Sequence, residues 1–489
     1  MSMWRKGLAL SAAAVCAVTL AACGNNSSSG SGSSSKKVVV TMYRPGDPLT
    51  NSTEMMKIVN KEIQKQYPNV ELQIKPISWG DYGQKFSVML TSGDGFDLAF
   101  ANSYSANAQK GGFADMTELI KKYASKAYDE IDPAYWKGVT LDGKIYGFPT
   151  NANVFSQEKL VFNGTFTDKY NINVDNVDSL QTATDAMAAF KKADPSINPM
   201  AIVKGYHAPT PGWSYPLSNG YPFVVDQSGK DTKVQNPYNL DIMRKNLATL
   251  HEWYQKGYVP RDAATSTTQY SLADDTWFGR IETTGPFDYG DTAILNARGG
   301  KPVVTKQISQ PYKSTADAQM ALYVISKSSK HKKEAVEVLN AINTNKKIIN
   351  TMVWGIEGKQ WEFTDKAKGK IKTLPGYKQN TYYGAWMTGN NRNLYTLDSV
   401  TDKQIEERDQ SIKDTSEAAD LGFMPNLDKY KTELTNIANV MSKYSDIINT
   451  GTADPVPTIN KMNAELKTAG WDTVAKELQS QYDKFLAAK

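Results

Sequence analysis

Cysteine and histidine are scarce in this sequence of 489 residues, which contains two cysteines and three histidines. Such small numbers exclude a disulfide framework, a zinc cluster and an iron–sulfur site as organising features. Charge of one sign does not dominate either, because 56 basic and 51 acidic side chains leave a net charge of only +5. That balance argues against nucleic-acid binding. Beyond the N-terminal region, no uninterrupted apolar run approaches the about 18 residues that indicate a membrane-spanning helix.

Sequence signatures of common enzymes are also missing. The chain has no nucleophile elbow, no phosphate-binding loop and no zinc-protease motif with two histidines. Asp274 and Asp275, or Glu282 and Asp288, could be offered as paired glycosidase carboxylates. Any chain of this length contains such pairs, so we expect a protein that is not an enzyme and needs no cofactor.

Aromatic residues are abundant, with 26 Tyr, 15 Phe and 10 Trp. Hydrophobic residues make up 40% of the chain and charged residues 22%, which is typical of a globular protein. One hydrophobic core rarely organises so long a chain, so at least two lobes are expected.

The N-terminus has the layout of a secretory signal peptide. Arg5 and Lys6 precede an apolar stretch, residues 7–22, which ends in small residues and is shorter than the about 20 residues of a spanning helix. Residues 20–24 read LAACG, which resembles a bacterial lipobox. In lipoproteins of that type the signal peptide is removed before the cysteine, whose sulfur is acylated. We therefore predict a lipoprotein in which Cys23 carries a fatty acid such as palmitate.

The predicted lipid anchor determines where the chain would work. The signal peptide would cover residues 1–22, and the Ser/Gly-rich residues 23–36 would form a flexible tether. The mature protein would then be held at the extracellular face of the cell membrane. Its only remaining cysteine would carry lipid, which excludes thiol chemistry.

The first part of the body alternates strand and helix patterns. Residues 38–43, 70–74 and 97–100 read as strands, with helical periodicity between them. This order predicts a parallel sheet with crossover helices in an α/β lobe, and a second lobe ends in a helix-rich region from about residue 402. Ligands of such sheets bind beyond the carboxyl ends of the strands. The candidate ligand-binding residues at those ends are Tyr43, Arg44, Trp79, Asn102 and Tyr104.

Six short motifs stand out along the chain. They are DGFDLAF at residues 94–100, GKIYGFP at 143–149, SKSSK at 326–330, GIEGK at 355–359, NIANV at 436–440 and GTADP at 451–455. Together with the lipobox and the tether, their order resembles the extracellular solute-binding proteins of ABC importers, family 1, which includes maltose-binding-like proteins. Phe96 replaces the usual proline of that family. The last three motifs are similar to those of Gram-positive lipoproteins with an extra C-terminal helical region.

The resemblance implies a two-lobed periplasmic-binding-protein-like α/β fold whose lobes are joined by hinge strands and close over ligand. Lobe 1 is expected to comprise residues 37–150 and 285–335. Lobe 2 is expected to comprise residues 151–284 and 336–489, including the helix-rich C-terminal region. The chain would cross between the lobes near residues 150–155, 283–286 and 326–347.

The resemblance also implies a function and its partners. The chain would be the membrane-anchored substrate-binding component of an ABC importer, a monomer that delivers its ligand to permease subunits. The ATPase would be contributed by other subunits, which fits the lack of a nucleotide site in this sequence.

Aromatic residues next to amides and carboxylates favour a sugar as ligand. Rings cover the apolar faces of sugars, while Asp, Asn, Gln and Arg bond the hydroxyls. Such clusters recur on both predicted lobes, which favours an oligosaccharide over a monosaccharide. Besides the five residues at strand ends, the candidates are Trp213, Tyr215, Trp277, Asp288, Tyr382, Trp386 and Asn391. For any single Tyr or Trp, packing at the base of a loop is the alternative.

Two other functions stay open at this point. A surface-anchored carbohydrate-active enzyme would turn over an oligosaccharide and lose that turnover when one carboxylate is replaced. A peptide-binding lipoprotein would place an acidic and a basic group to hold the ligand termini.

Overall fold

A computed structural model describes residues 37–92 and 95–489 of the protein. The predicted signal peptide, Cys23 and the tether lie outside the described residues.

Strands and helices alternate through most of the chain. The first part forms β1 (Val38–Pro45), α1 (Ser52–Gln66), β2 (Val70–Ile77), α2 (Trp79–Ser92), β3 (Leu98–Phe100), α3 (Tyr104–Gln109), α4 (Thr117–Tyr123), α5 (Ser125–Glu130), α6 (Pro133–Val139), β4 (Thr140–Leu141), β5 (Lys144–Ile145) and β6 (Phe148–Pro149). The next part forms β7 (Phe155–Asn163), α7 (Gly164–Tyr170), α8 (Thr184–Ala193), β8 (Trp213–Ser214), β9 (Val225–Asp226), α9 (Asp241–Gln255), β10 (Gly279–Thr284), α10 (Thr292–Ala297), β11 (Val303–Gln307) and β12 (Tyr312–Lys313). The rest forms α11 (Thr315–Met320), β13 (Leu322–Val324), α12 (Lys332–Thr344), α13 (Lys346–Trp354), β14 (Trp361–Asp365), β15 (Lys370–Thr373), β16 (Thr396–Leu397), α14 (Asp402–Asp414), α15 (Lys431–Asn449), α16 (Pro455–Thr468) and α17 (Trp471–Ala487).

The first sheet has the strand order β2-β1-β3-β13-β6. β1 is parallel to β2 and β3, and β13 is antiparallel to both β3 and β6. β1, β2, β3 and β6 therefore all end at the same edge of the sheet. The predicted β-α-β-α-β start is confirmed. α1 packs there through Met55, Val59 and Ile63, which lie four residues apart and so share one face of the helix.

The second sheet is built around β7, which pairs antiparallel with β10, β11 and β12. Successive side chains of a strand point to opposite faces. Leu160 and Phe162 accordingly enter one hydrophobic cluster, while Val161 packs with Trp277 and Ile294 in a small cluster on the other face.

Two large hydrophobic cores confirm the expected two-lobed α/β architecture. The first core takes its side chains from residues 40–155, 318–352 and 383–421. The second core takes them from residues 160–278 and 423–482. Helices α15, α16 and α17 pack on the second core, as the helix-rich C-terminal pattern predicts.

The cores divide the chain differently from the predicted lobe boundaries. Residues 336–412 were expected in lobe 2, but the buried face of α12 lies in the first core, with Val336, Val338 and Leu339 among its members. Residues 303–307 were expected in lobe 1, but they form β11, which pairs with β7 in the second sheet. A helical periodicity identifies the face that is buried but not the sheet that buries it, so the sequence pattern could not assign these elements.

Three connections join the cores. The chain leaves the first sheet after β6 and enters β7, and it returns between β12 and α11. The third connection is the segment 415–423 after α14, since Leu421 belongs to the first core and Phe423 to the second. The crossing expected near residues 326–347 is wrong, because α12 and the strand before it both lie in the first core. Near residues 283–286 the chain only touches the first core, through Phe287, and then continues to β11.

Within residues 37–92 and 95–489, no helix combines the length and the apolar character needed to cross a membrane.

Candidate functional site

A cleft of about 970 Å³ lies where the two cores meet. The first core contributes α3 and α11, and the second core contributes the start of β7 and residues 207–221. The third connection and the chain that follows it, up to the start of α15, contribute lining residues between 420 and 434. The carboxyl edge of the first sheet faces this region, because the chain leaves β6 at that edge and enters β7 beside the cleft. The cleft therefore occupies the position in which ligands of open α/β sheets bind.

The wall from the second core is rich in aromatic residues. Trp213 lies on β8, which pairs with β9 in a short antiparallel ribbon, and it lines the cleft together with Tyr215 and Tyr221. The Tyr215 hydroxyl is 3.0 Å from the Thr210 hydroxyl, which fixes the direction of the phenol. His207 lines the same wall, and burial lowers its pKa although Asp446 acts in the opposite direction. This wall thus combines aromatic rings with polar groups.

The wall from the first core begins at the end of β3. Ser103 lies on the cleft with a left-handed backbone (φ 49°) and precedes α3. Strained residues of this kind are frequent at ligand-binding sites. Tyr104 also lines the cleft, but its ring stacks on Phe113 and its hydroxyl donates to the carbonyl of Val139. Only the edge of the Tyr104 side chain is therefore free to contact a ligand.

Four carboxyl groups line the cleft, those of Glu158, Asp317, Asp420 and Asp428. Burial raises the pKa of Asp317 and that of Asp420 each to about 6, and burial also raises the pKa of Glu158. Hydroxyl groups donate to two of them, Ser314 to Asp317 at 2.5 Å and Ser214 to Asp420 at 3.0 Å. Carboxylates in such a cleft are strong acceptors for hydroxyl donors of a ligand.

Trp79 and Trp386 form an exposed aromatic pair at the carboxyl edge of the first sheet. Their ring centroids are 6.0 Å apart and their ring planes are nearly parallel. Trp386 also makes an edge-to-face contact with Phe100 at the end of β3. The Trp79 side chain is 58% exposed and that of Trp386 39%. Large exposed apolar surfaces are unusual unless they bind something.

Three further predicted residues lie in the first-core part of the structure without lining the cleft. Tyr43 is half-buried with the Lys75 ammonium 5.4 Å from its ring centre. Asn102 is half-buried and accepts a hydrogen bond from Ser103. The ring of Tyr382 stacks on another aromatic side chain, Tyr377, at 4.2 Å.

Arg44 and Asn391 are predicted site residues that the structure uses for packing and hydrogen bonding. Arg44 is only 1% exposed, lies 4.0 Å above the Tyr383 ring and donates to Thr388. Asn391 is buried and donates to the carbonyls of Ala385 and Thr388. The structure therefore does not bring these two side chains into the cleft.

Trp277 and Asp288 are likewise occupied within the fold. Trp277 is fully buried, and the guanidinium groups of Arg280 and Arg298 lie 5.3 Å and 5.0 Å from its ring centre. Asp288 accepts from the backbone N–H of Gly285 at 2.6 Å and faces the Asn153 amide at 3.4 Å, where the first connection passes. Trp277 was expected in the cleft because it precedes a crossing, but it packs with Val161 and Ile294 in the small cluster on the other face of β7.

Several lining residues were missed by sequence reasoning. Glu158 is the fourth residue of β7, the strand that follows the first connection, and this position was the one available signal. Asp317 lies in the first turn of α11, where an acidic residue is common whatever the function. Asp420 and His207 reach the cleft only through long-range folding. No group of three or more metal-ligating side chains occurs in the part of the chain that the structure describes.

Comparisons with known proteins agree on one family. The family model described as bacterial extracellular solute-binding protein matches residues 59–356, and a domain of unknown function matches residues 420–487. A carbohydrate ABC transporter substrate-binding protein of Streptococcus pneumoniae is 42% identical over 493 residues, covering 100% of both chains.

Solved structures give the same result. The N-glycan transport solute binding protein of S. pneumoniae (NgtS) is 42% identical, covers 92% of this chain and 99% of its own, and superposes with a TM-score of 0.89. The same protein in complex with Man5GlcNAc superposes with a TM-score of 0.79, covering 93% of this chain and 99% of its own.

Proposed function

The chain belongs to the family of bacterial extracellular solute-binding proteins, and from this we propose that it is the substrate-binding component of an ABC importer for oligosaccharides. It would capture the sugar between its two lobes and deliver it to permease subunits in the membrane.

The lining of the cleft carries this proposal. Trp213, Tyr215 and Tyr221 offer apolar faces, while Glu158 and Gln109 belong to a surrounding set of hydroxyl, amide and carboxylate groups. This mixture matches a sugar, whose C–H faces stack on rings and whose hydroxyls bond to polar side chains. The cleft volume of about 970 Å³ lies at the upper end of the range for small-molecule sites, which favours several sugar units over one.

The similarity to NgtS suggests which oligosaccharides to test first. That S. pneumoniae protein has been solved with Man1GlcNAc and with Man5GlcNAc. With 42% identity across nearly the whole chain, we propose that the ligand of this protein is also an oligosaccharide of the N-glycan type.

The predicted ligand-binding residues divide into two groups under this proposal. Trp213 and Tyr215 would contact sugar on the second-core side, and the Trp79–Trp386 pair would contact it on the first-core side. A ligand that touches both sides binds the closed form better than the open form, so binding shifts the population toward closure.

Export and anchoring complete the proposal. The lipobox at residues 20–24 supports cleavage of the signal peptide and lipidation of Cys23, which would hold a monomer at the extracellular face of the membrane. There it could load a permease, while the ATPase works from other subunits.

Binding without turnover separates this proposal from a carbohydrate-active enzyme. Calorimetric titration of the full chain against di- to hexasaccharides of mannose and N-acetylglucosamine should give saturable binding, with the sugar recovered unchanged. Peptides of matched length should produce no heat. Binding of peptides alone, or release of shorter sugars, would refute the proposal.

A further inference from the structure

We propose that the cleft selects oligosaccharides without negative charge, and that Glu158, Asp317 and Asp420 exclude anionic ones. The inference rests on the proposed function, because it concerns the ligand of the same cleft.

The charges that line the cleft are unequal. Within the described part of the chain, the lining holds four carboxylates and one lysine, with no arginine. Asp428 forms an ion pair with that lysine, Lys431, at 3.5 Å, so these two charges offset each other. The remaining carboxylates belong to Glu158, Asp317 and Asp420, and none of them forms an ion pair with a described residue, although the Lys489 ammonium acts on Asp420 in the direction that lowers its pKa. The cleft is thus acidic in a chain whose net charge is positive.

The hydrogen-bond partners of these carboxylates leave the negative charge in place. Asp317 accepts from the hydroxyl of Ser314, and Asp420 accepts from the hydroxyl of Ser214. A neutral donor stabilises a carboxylate without adding a positive charge. Glu158 lies close to the phenols of Tyr206 and Tyr215, which are also neutral.

The three carboxylates come from different parts of the fold. Glu158 lies on β7 of the second sheet, Asp317 on α11 beside the first core, and Asp420 on the third connection. A ligand in the cleft would therefore meet negative potential from more than one side. An adjoining compartment of about 420 Å³ adds Asp178 and Asp226 and, among described residues, no basic side chain.

The same groups treat neutral and anionic sugars differently. Hydroxyls of a neutral sugar donate to carboxylates and gain charge-assisted hydrogen bonds. A uronate or another acidic substituent brings a like charge instead, and the partly enclosed walls of a cleft weaken the screening by water. Repulsion of like charges is an established way in which binding sites reject near-identical ligands.

The test compares three forms of one oligosaccharide. The neutral oligosaccharide that binds most tightly is prepared with a terminal primary alcohol, with the corresponding uronamide and with the uronate. The uronamide has nearly the shape of the uronate but no charge. Titration of the full chain at neutral pH should give at least tenfold weaker binding for the uronate than for the uronamide.

Isosteric variants then identify the responsible residues. Glu158→Gln and Asp420→Asn should each reduce the uronamide-to-uronate affinity ratio by threefold or more. The matched control is Glu118→Gln on α4, which removes the same charge from a side chain that is 83% exposed and should leave the ratio unchanged. If Asp420→Asn does not fold, Glu158→Gln is sufficient for the test. Burial is the one cause that shifts the pKa of Glu158, so the substitution breaks no hydrogen bond to this carboxylate.

The outcomes separate this inference from the proposed function. A ratio close to one in the unmodified protein, or a ratio that none of the variants changes, would overturn the charge selection. Absence of binding by every neutral oligosaccharide would instead refute the proposed function.

Discussion

Replacing Trp79 with alanine is expected to weaken oligosaccharide binding by about 20-fold. The Trp79 side chain begins α2 at the carboxyl edge of the first sheet, and 58% of its surface is exposed. Its ring stacks on Trp386, so the pair presents a preformed apolar surface. A sugar face that covers this surface would remove it from water.

The magnitude follows from the exposed area. A tryptophan side chain has about 250 Å² of surface, so 58% corresponds to about 145 Å². A sugar ring that covers about half of it removes about 70 Å² from water, which at about 25 cal/mol per Å² gives about 1.8 kcal/mol. That free energy corresponds to a factor of about 20 in Kd.

Titration calorimetry with the tightest neutral oligosaccharide measures this change. Trp79→Phe should lose less affinity than Trp79→Ala, because it keeps a smaller ring. Tyr128→Ala is the control, since Tyr128 is 38% exposed and stacks on Trp136 at 4.7 Å, apart from the Trp79–Trp386 pair. If Trp79→Ala binds within twofold of the unmodified protein while its thermal stability is unchanged, the first-core side does not contact sugar in the way we propose.

Three further predictions concern the hinge, the pH dependence and the anchor. Gly285→Ala would place a methyl group in steric clash with the Asn153 side chain on the first connection, and it should therefore alter lobe closure and Kd. Gly164→Ala is the control, because its methyl group would clash with Pro302 inside the second lobe. Equal effects of the two variants on Kd would contradict a role of Gly285 in lobe closure. The pKa of Asp420 in the folded protein is raised to about 6, above its unfolded value, so the folded state binds more protons between about pH 4 and 6 and loses stability as the pH rises through this range. As the pH rises over that interval, the free energy of unfolding of Asp420→Asn should therefore increase by up to about 3 kcal/mol relative to that of the unmodified protein, measured by denaturant titration. A difference between the two proteins that does not change with pH would refute this. Cys23→Ser should abolish incorporation of labelled fatty acid and release the protein from membranes; retention of the label would exclude Cys23 as the lipidation site.

Sequence patterns predicted those parts of the fold that depend on local spacing. The first three strands and α1 were predictable because β-branched runs and a four-residue apolar repeat occur within short segments. The lobe assignment of α12 was not predictable in this way. Its residues are buried on nearly every side, and only the tertiary fold determines that the first core buries them.

The site was predictable only where it follows a strand end or an aromatic cluster. Trp213 and Tyr215 line the cleft and Tyr104 contributes an edge, while their contact with a sugar stays a prediction. Asn391 was a candidate for sugar binding, but its amide donates to the carbonyls of Ala385 and Thr388, and the neighbouring Asn390 accepts a 2.9 Å hydrogen bond from Asn151 on the first connection. Asparagine serves equally well for binding sugars and for fixing irregular backbone, so composition cannot distinguish these roles.

The abundance of aromatic residues is therefore weaker evidence for a sugar site than the position of a few of them. Many rings stack inside the cores, as Phe190 does with Phe278 at 4.3 Å, and Trp253 is fully buried. Such rings would be needed for stability whatever the ligand. Trp79 and Trp386 are different, because they stack on each other at the protein surface, where a large apolar area has no structural benefit. A ligand with apolar faces would explain why both rings remain exposed at the carboxyl edge of the first sheet.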